Sequence, residues 1–362
     1  MANQGPRRAW DWSVVLPIVA CALLAAVWGR PLGWALVVLA AAGLVVAVVL
    51  GVHHAEVVAL RVGEPYGTLV LALAITVIEL GLIGSLMLSG KTGADTLARD
   101  TLFATVMVVC NGVVGGCLTV GAIRHHVLAF RVEGAAHALA ALAPLVTLTL
   151  VLPNFTTTTP GPSYSLAQLA FAGASSFVLY GVFVFAQTVR HRDYFLPVVA
   201  DAEEQHASPP SSQVALTSLA LLVLALIAVV GLAKQLGPAI EAGVRALSAP
   251  PTTVGLIIAL IVLSPETMAA LRAAARNRMQ TSLNLALGSA LATIGLTIPA
   301  VAALSVSLGL PLELGLGPTQ IVLLALTMLL SVVTLATGRA TVLHGAVHLV
   351  VFAAFLVLAF VP

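Results

Sequence analysis

The stretch Thr68-Leu-Val-Leu-Ala-Leu-Ala-Ile-Thr-Val-Ile-Glu79-Leu-Gly-Leu-Ile-Gly84 decides the fold, because one carboxylate interrupts an otherwise apolar run of helix length. A second run, Ile257-Ile-Ala-Leu-Ile-Val-Leu-Ser264-Pro265-Glu266, ends on another glutamate. A charged side chain near the centre of a bilayer costs about 2.5–3.5 kcal/mol on insertion scales, so a carboxylate at that depth indicates a functional site. The two runs therefore predict membrane helices that carry the chemistry of the protein.

The composition of the whole chain agrees with this class. Hydrophobic residues make up 60% and charged residues 8% of the 362 residues, and the mean hydropathy is +1.09. Soluble domains are far more polar, and a membrane helix needs about 20 apolar residues. We predict an all-α polytopic membrane protein of about eleven transmembrane helices, with no room for a soluble domain. The predicted helices cover residues 12–29, 33–60, 68–89, 99–123, 135–152, 165–189, 213–234, 252–273, 281–305, 319–337 and 340–361.

The chain divides around its longest polar interruption, residues 190–212. Residues 1–30 form an extra first helix, 31–189 and 213–362 form two five-helix halves, and 190–212 form an acidic cytoplasmic linker with Asp201, Glu203 and Glu204. The linker is either a solvated connector or a segment that attracts cations. The glutamates lie on the third and eighth predicted helices, which run in opposite directions across the membrane. That arrangement predicts inverted repeats, around 63–123 and 252–305, with a binding site near the bilayer midplane.

The distribution of basic residues predicts the orientation, since cytoplasmic loops retain Lys and Arg. With the N-terminus in the cytoplasm, 11 of the 16 basic residues fall on the cytoplasmic side. The cytoplasmic set is Arg7, Arg8, Arg61, Arg124, Arg131, Arg190, Arg192, Arg272, Arg276, Arg278 and Arg339, and the external set is Arg30, Lys91, Arg99, Lys234 and Arg245. The C-terminus is then external.

Oxygen-bearing side chains surround the two glutamates in the sequence. Each glutamate helix is followed by a helix rich in small and polar residues, which allows close helix packing and supplies ligand oxygens. Pro265 is expected to break the second glutamate helix, because proline lacks an N–H group and clashes with the preceding turn. The carbonyls that the break frees could then coordinate a cation. The candidate ion-binding residues are Glu79 and Glu266 and, as further candidates, Thr76, Asn111, Ser264, Asn284 and Ser289.

Three segments resemble the two alpha-repeats of the Ca²⁺:cation antiporter superfamily. They are the segment from Gly63 to Glu79, the segment Leu263-Ser-Pro-Glu-Thr-Met-Ala-Ala-Leu-Arg-Ala-Ala-Ala-Arg-Asn-Arg278, and Leu287-Gly-Ser289. Within the superfamily the chain is similar to the bacterial ChaA-type branch of cation/proton exchangers. The resemblance implies a bacterial plasma (inner) membrane location, and it implies that Glu79 and Glu266 bind the cation and exchange protons.

The implied function is exchange of cytoplasmic Ca²⁺ for external protons by alternating access. Burial favours the protonated form of a carboxyl group, and a divalent cation reverses that preference by neutralising both acids. The Ca²⁺-selective exchangers usually carry a Gly-Asn pair before the first acid, whereas Thr76-Val77-Ile78 stands here. Because Ca²⁺ normally takes six to eight oxygens, Na⁺ and K⁺ remain alternative substrates.

The sequence gives weaker support to two other classes of function, an intramembrane enzyme and a channel. An intramembrane enzyme could use the two glutamates as acid and base, but neither a nucleophile motif nor a fixed metal site accompanies them. A channel is disfavoured because titratable acids on both repeats suit alternating access.

His344 and His348 share one face of the last helix, where packing or hydrogen bonding is expected rather than metal ligation. We expect no cofactor and no nucleic acid; the expected partners are cations, protons and membrane lipids, and the sequence leaves the oligomeric state open.

Overall fold

The structure is a computed structural model that describes residues 12–63, 66–88, 93–196, 209–247 and 249–361. Several residues used in the sequence predictions lie outside the described residues. They are Arg7 and Arg8 before the first helix, Glu64 and Pro65 of the first repeat, Lys91 of the external set, and Asp201, Glu203 and Glu204 of the linker.

Thirteen α-helices account for most of the described residues. They are α1 (Trp12–Val27), α2 (Trp34–Val62), α3 (Tyr66–Met87), α4 (Leu97–Met107), α5 (Val114–His125), α6 (Val132–Val146), α7 (Leu166–Phe185), α8 (Ser212–Ala246), α9 (Thr252–Val262), α10 (Ser264–Ala275), α11 (Met279–Leu308), α12 (Pro318–Leu335) and α13 (Val342–Phe360). Wider π-helical turns occupy Val108–Val113, Thr147–Val151 and Ala186–Arg190, and 3-10 turns occupy Leu152–Phe155 and Arg192–Phe195. Two short strands, β1 (Leu128–Ala129) and β2 (Arg339–Ala340), pair antiparallel, with Leu128 opposite Ala340.

The predicted all-α polytopic membrane fold is confirmed. Nine helical segments of the described chain are long and apolar enough to cross a membrane, and the bent pair α9–α10 makes a tenth. The first predicted helix, α1, is present but has only 16 residues. α4, the π turn Val108–Val113 and α5 form one continuous span, and more of this span is buried than of any other span in the described ranges.

Two prolines differ in whether the helix that contains them ends there. Ser264-Pro265 breaks its helix as predicted, because α9 and α10 meet there at an angle of 54°. By contrast, Gly237-Pro238 does not end α8, which continues to Ala246 and not to the predicted residue 234. Tertiary contacts hold α8 near this point: the Gln235 side chain donates to the Val27 carbonyl, and the Lys234 ammonium lies 5.5 Å from the centre of the Trp28 ring.

The helices pack into two compact units. The first unit contains α1, α2, most of α3, and α8 up to Ala242. Ala55 of α2, Ala74 of α3 and Leu222 of α8 form its buried apolar cluster. The Cys21 thiol of α1 donates to the Leu224 carbonyl of α8 at 3.2 Å.

The second unit contains the remaining helices, with the α4–α5 span against several of them. α4 packs on α9, α5 packs on α10 and α13, and α11 packs on α6, α7 and α10. The α4–α9 contact is very close, because a Cβ atom at Gly255 would lie 2.7 Å from the main chain of Asp100 and Thr101. The first unit therefore combines helices from both halves of the sequence, since α8 opens the second half.

Candidate functional site

Glu79 is buried within the first unit, in the middle of α3. Only 1% of its surface is exposed, whereas Leu73 and Val77 of the same helix are exposed. Thr76, one turn before Glu79, is also buried, and its hydroxyl donates to the Ala72 carbonyl at 2.8 Å. A hydroxyl that donates one hydrogen bond keeps its oxygen lone pairs. Thr76 therefore retains an oxygen that can act as a ligand.

Two glycine contacts fix the part of α3 that carries Glu79. A Cβ atom at Gly51 of α2 would lie 3.3 Å from the Ile78 side chain, and a Cβ atom at Gly81 would collide with the Val230 side chain of α8. The positions on both sides of Glu79 along the chain are thus packed against neighbouring helices. Since close packing leaves little room for adjustment, the carboxylate is held on a rigid element.

Glu266 lies in the second unit, in the first turn of α10. Pro265 precedes it at the bend, so the carboxylate sits at the positive end of the α10 dipole, where a negative charge is favoured. The carbonyls near the bend accept from hydroxyls: Ser264 donates to Ile261 and Thr267 to Leu263, each at 2.7 Å. The bond to Ile261 therefore fixes the orientation of the Ser264 hydroxyl at the bend between α9 and α10.

The two candidates on α11 differ in their hydrogen bonding. The Asn284 amide nitrogen donates to the Phe195 carbonyl at 2.6 Å, and its oxygen accepts from the Gln280 side chain at 2.9 Å. Asn284 thus holds the start of the linker. The Ser289 hydroxyl oxygen is buried and has no hydrogen-bond partner among the described residues. A Cβ atom at the adjacent Gly288 would meet no atom within 4 Å.

Asn111 lies in the π turn Val108–Val113 and is fully buried. Its amide nitrogen donates to the Thr327 hydroxyl of α12 at 2.8 Å, and its amide oxygen lies 3.2 Å from Nδ1 of His348 in α13. The other ring nitrogen of His348 lies 3.1 Å from the Thr334 hydroxyl. The hydrogen-bonding role expected for His348 is confirmed, whereas Thr327 and Thr334 were not predicted from the sequence.

Asp100 is a buried acid in the first turn of α4. Its carboxylate, 3% exposed, accepts from the Arg99 guanidinium at 2.9 Å and from the Thr96 hydroxyl at 3.1 Å. Arg99 and Asp100 border a cavity of about 300 Å³, together with the apolar side chains of Phe103, Leu323 and Phe355. Because Arg99 neutralises the acid locally, this cavity is not a second carboxylate site of the Glu79 kind.

A family of known proteins matches most of the chain. The model of the family described as sodium/calcium exchanger protein matches residues 32–189 and 217–361. The chain belongs to this family. The expected membership in the Ca²⁺:cation antiporter superfamily is thereby confirmed.

Relatives within the family have names that describe transporters. The chain is 49% identical over 358 residues to "Putative ionic transporter y4hA" of Sinorhizobium fredii (strain NBRC 101917 / NGR234), which covers 97% of this chain and 96% of that protein. It is 35% identical over 360 residues to sodium-potassium/proton antiporter ChaA of Escherichia coli (strain K12), which covers 98% and 97%. The crystal structure of the Ca²⁺/H⁺ antiporter protein YfkE matches 97% of this chain and 100% of that one, with a TM-score of 0.72 and 17% identity.

These matches define the class of the protein. It is an integral membrane exchanger of the Ca²⁺:cation antiporter type, working as a cation/proton or cation/cation exchanger. The similarity to YfkE extends over the whole fold, although at 17% identity it supports the fold alone.

Proposed function

We propose that the protein exchanges cytoplasmic Ca²⁺ for external protons by alternating access, and that Glu79 and Glu266 are the carboxylates that bind both. The observation that carries this proposal is the burial of Glu79, which is 1% exposed on an apolar helix. An ionised carboxylate is costly at that depth unless a proton or a cation neutralises it. A group in this position therefore suits a site that is always loaded with one or the other.

The chemistry of exchange follows from competition for the same oxygens. Two protons or one divalent cation neutralise a pair of carboxylates, and each species displaces the other. The empty, doubly charged pair is disfavoured in a low-dielectric environment, so the site crosses the membrane only when it is loaded. Strict coupling is the consequence. Thr76, Ser264 and Ser289 are the further oxygen ligands that we propose, and Asn111 adds its amide oxygen.

A second candidate function is Na⁺(K⁺)/H⁺ exchange at the same site. It is supported by the 35% identity to a protein named sodium-potassium/proton antiporter. It is also supported by Thr76-Val77-Ile78 before Glu79, which offers one side-chain oxygen where Ca²⁺ prefers many. The use of the two glutamates as acid and base of an intramembrane enzyme has no such support, since the named relatives are transporters.

We further propose that the protein resides in a bacterial inner membrane with a cytoplasmic N-terminus and an external C-terminus. The excess of Lys and Arg in the predicted cytoplasmic loops supports this orientation. Labelling of single cysteines introduced at the exposed positions Arg192 and Thr158, from either side of sealed vesicles, tests it. Labelling of position 158 from the cytoplasmic side alone would contradict the proposed orientation.

The exchange itself is tested in everted membrane vesicles with an imposed pH gradient. Ca²⁺, Na⁺ and K⁺ are added separately, and collapse of the gradient is followed by a fluorescent pH probe. We expect Ca²⁺ to collapse the gradient in the wild type, and Glu79→Gln and Glu266→Gln each to abolish the response. Glu133→Gln is the matched control, because Glu133 is an exposed glutamate in the first turn of α6.

The outcomes separate the two cation assignments. Collapse by Na⁺ or K⁺ without Ca²⁺, lost in both variants, would support the monovalent reaction. Unchanged exchange in either glutamine variant would refute the assignment of that glutamate.

A further inference from the structure

We infer that His348 is a positioning residue of the cation site: its hydrogen bond fixes the Asn111 carboxamide and thereby sets cation affinity. This inference rests on the proposed function only in that Asn111 offers an oxygen to the cation. The geometry on which it depends lies entirely within the second unit.

The direction of each hydrogen bond follows from the Asn111 amide. Its nitrogen donates to the Thr327 hydroxyl at 2.8 Å, so its oxygen is the atom that faces Nδ1 of His348 at 3.2 Å. Nδ1 must then carry the proton, and Nε2 accepts from the Thr334 hydroxyl at 3.1 Å. The Thr327 hydroxyl in turn donates a hydrogen bond to the Met107 sulfur at 3.4 Å. Every donor in this network then has an acceptor.

The surroundings of His348 are buried and carry no charged partner among its hydrogen-bonded side chains. Its two side-chain partners, Asn111 and Thr334, are uncharged, and the side chain is completely buried. The Cys110 carbonyl of the π turn also faces the ring, and His344 lies one turn earlier on the same helix. Both ring nitrogens are thus occupied by neighbouring side chains, Nδ1 by Asn111 and Nε2 by Thr334.

Glycines explain why the ring reaches Asn111 at all. A Cβ atom at Gly115 of α5 would lie 2.8 Å from the His348 Cβ, and a Cβ atom at Gly345 of α13 would lie 2.6 Å from the Thr119 main-chain nitrogen. The missing side chains let the two helices approach closely, as small residues do in membrane proteins. The partner of His348 lies in a π turn, and such turns occur frequently at functional sites.

The consequence for the ion concerns the amide oxygen. A carbonyl oxygen has two lone pairs, and His348 occupies one of them. The bonds to His348 and Thr327 together fix the plane of the amide, so the second lone pair has a single direction. If His348 loses its donor, the amide can rotate and the oxygen is no longer presented in that direction.

Equilibrium binding of Ca²⁺ and Na⁺ to the purified protein tests the effect on affinity. We expect His348→Leu to weaken binding by about tenfold, the size expected when a buried hydrogen-bonding group loses its partner. His348→Gln should restore affinity to within about threefold, because glutamine is a neutral side chain with both a donor and an acceptor. His344→Leu is the matched control on the same helix, and Thr334→Val against Thr334→Ser repeats the comparison at the other ring nitrogen.

Nitrogen-15 NMR of histidine-labelled protein tests which ring nitrogen of His348 carries the proton, and it does not rely on transport. The difference between the wild type and His348→Gln should show one imidazole with a protonated Nδ1 and a bare Nε2. A neutral ring with its proton on Nε2 and none on Nδ1 would overturn the inference.

The remaining outcomes distinguish this inference from the proposed function. Wild-type affinity in His348→Leu, or equal losses in the leucine and glutamine variants, would overturn the positioning role while leaving the exchanger intact. A wild-type protein that binds neither cation would refute the proposed function, and the role of His348 in affinity would fall with it. Cation binding with no coupled exchange would refute the exchanger alone.

Discussion

Gly345→Ala should destabilise the protein, because Gly345 lies where α13 and α5 come closest. The added Cβ atom would lie 2.6 Å from the Thr119 main-chain nitrogen and 2.9 Å from the Gly115 carbonyl oxygen, and it would also collide with the Thr119 hydroxyl. Two of these three neighbours are main-chain atoms, which cannot turn aside as the end of a flexible side chain can. Relief therefore requires one helix to move.

The displacement can be read from the same distances. Ordinary van der Waals contact of a Cβ atom begins at 3.4 Å, so the Thr119 nitrogen must recede by about 0.8 Å. Overpacking of this kind typically costs about 1–3 kcal/mol. The His348–Asn111 distance is already 3.2 Å, and a shift of this size takes it beyond hydrogen-bonding range. Cation affinity should therefore fall together with stability.

Thermal denaturation of the purified protein measures the first effect, and equilibrium cation binding measures the second. Gly181→Ala on α7 is the matched control, since a Cβ atom there would meet nothing within 4 Å. Replacing a helical glycine by alanine in open space should be neutral or stabilise by up to about 1 kcal/mol. The same chemical change should thus have opposite signs at the two positions.

A Gly345→Ala protein as stable as the Gly181→Ala protein would refute the close approach of α5 and α13. A destabilised protein that keeps wild-type affinity would leave the packing argument intact and would separate it from the role of His348.

Three further predictions concern other contacts of the second unit. Gly255→Ala should cost about 1–3 kcal/mol, measured by thermal denaturation, because its Cβ would lie 2.7 Å from the main chain of Asp100 and Thr101; unchanged stability would contradict the α4–α9 packing. Ser165→Ala should cost about 0.5–2 kcal/mol, because the Ser165–Gln168 capping box is lost, and hydrogen exchange should accelerate at the start of α7 rather than elsewhere. Asp100→Asn should destabilise by about 3–5 kcal/mol because Arg99, 13% exposed, loses its counter-charge; Arg99→Gln in the same chain should recover part of this loss, and strict additivity of the two changes would argue against their coupling.

The sequence predicted those features that depend on local chemistry. Apolar runs of membrane length located the spans, and Pro265 located the bend between α9 and α10, because proline removes a hydrogen bond wherever it occurs inside a helix. The burial of Glu79 followed from its place in the middle of an apolar run. These predictions needed no knowledge of which helices are neighbours.

The features that the sequence did not predict depend on tertiary neighbours. Pro238 has the same chemistry as Pro265, yet α8 continues through it, with Lys234 and Gln235 anchored to α1. The grouping of α8 with α1–α3 combines helices of both halves, and hydropathy does not show which faces meet. The Asn111–His348 network was missed for the same reason, although Gly345 three residues before His348 was a usable signal of close packing.

The ligand candidates other than the two glutamates differ in how many of their polar atoms are already hydrogen-bonded, and this difference ranks how readily each could bind a cation. A side chain whose polar atoms are all engaged must break bonds to bind a cation, whereas one with an open oxygen need not. The Ser289 hydroxyl has no partner among the described residues, and Thr76 keeps its oxygen lone pairs. Asn111 offers one lone pair in a direction that depends on His348. Asn284, like Asn111, has both amide atoms hydrogen-bonded, and its nitrogen holds the Phe195 carbonyl. Ser289→Ala should therefore weaken cation binding more than Asn284→Ala does, and the reverse order would show that the Phe195 contact governs the site.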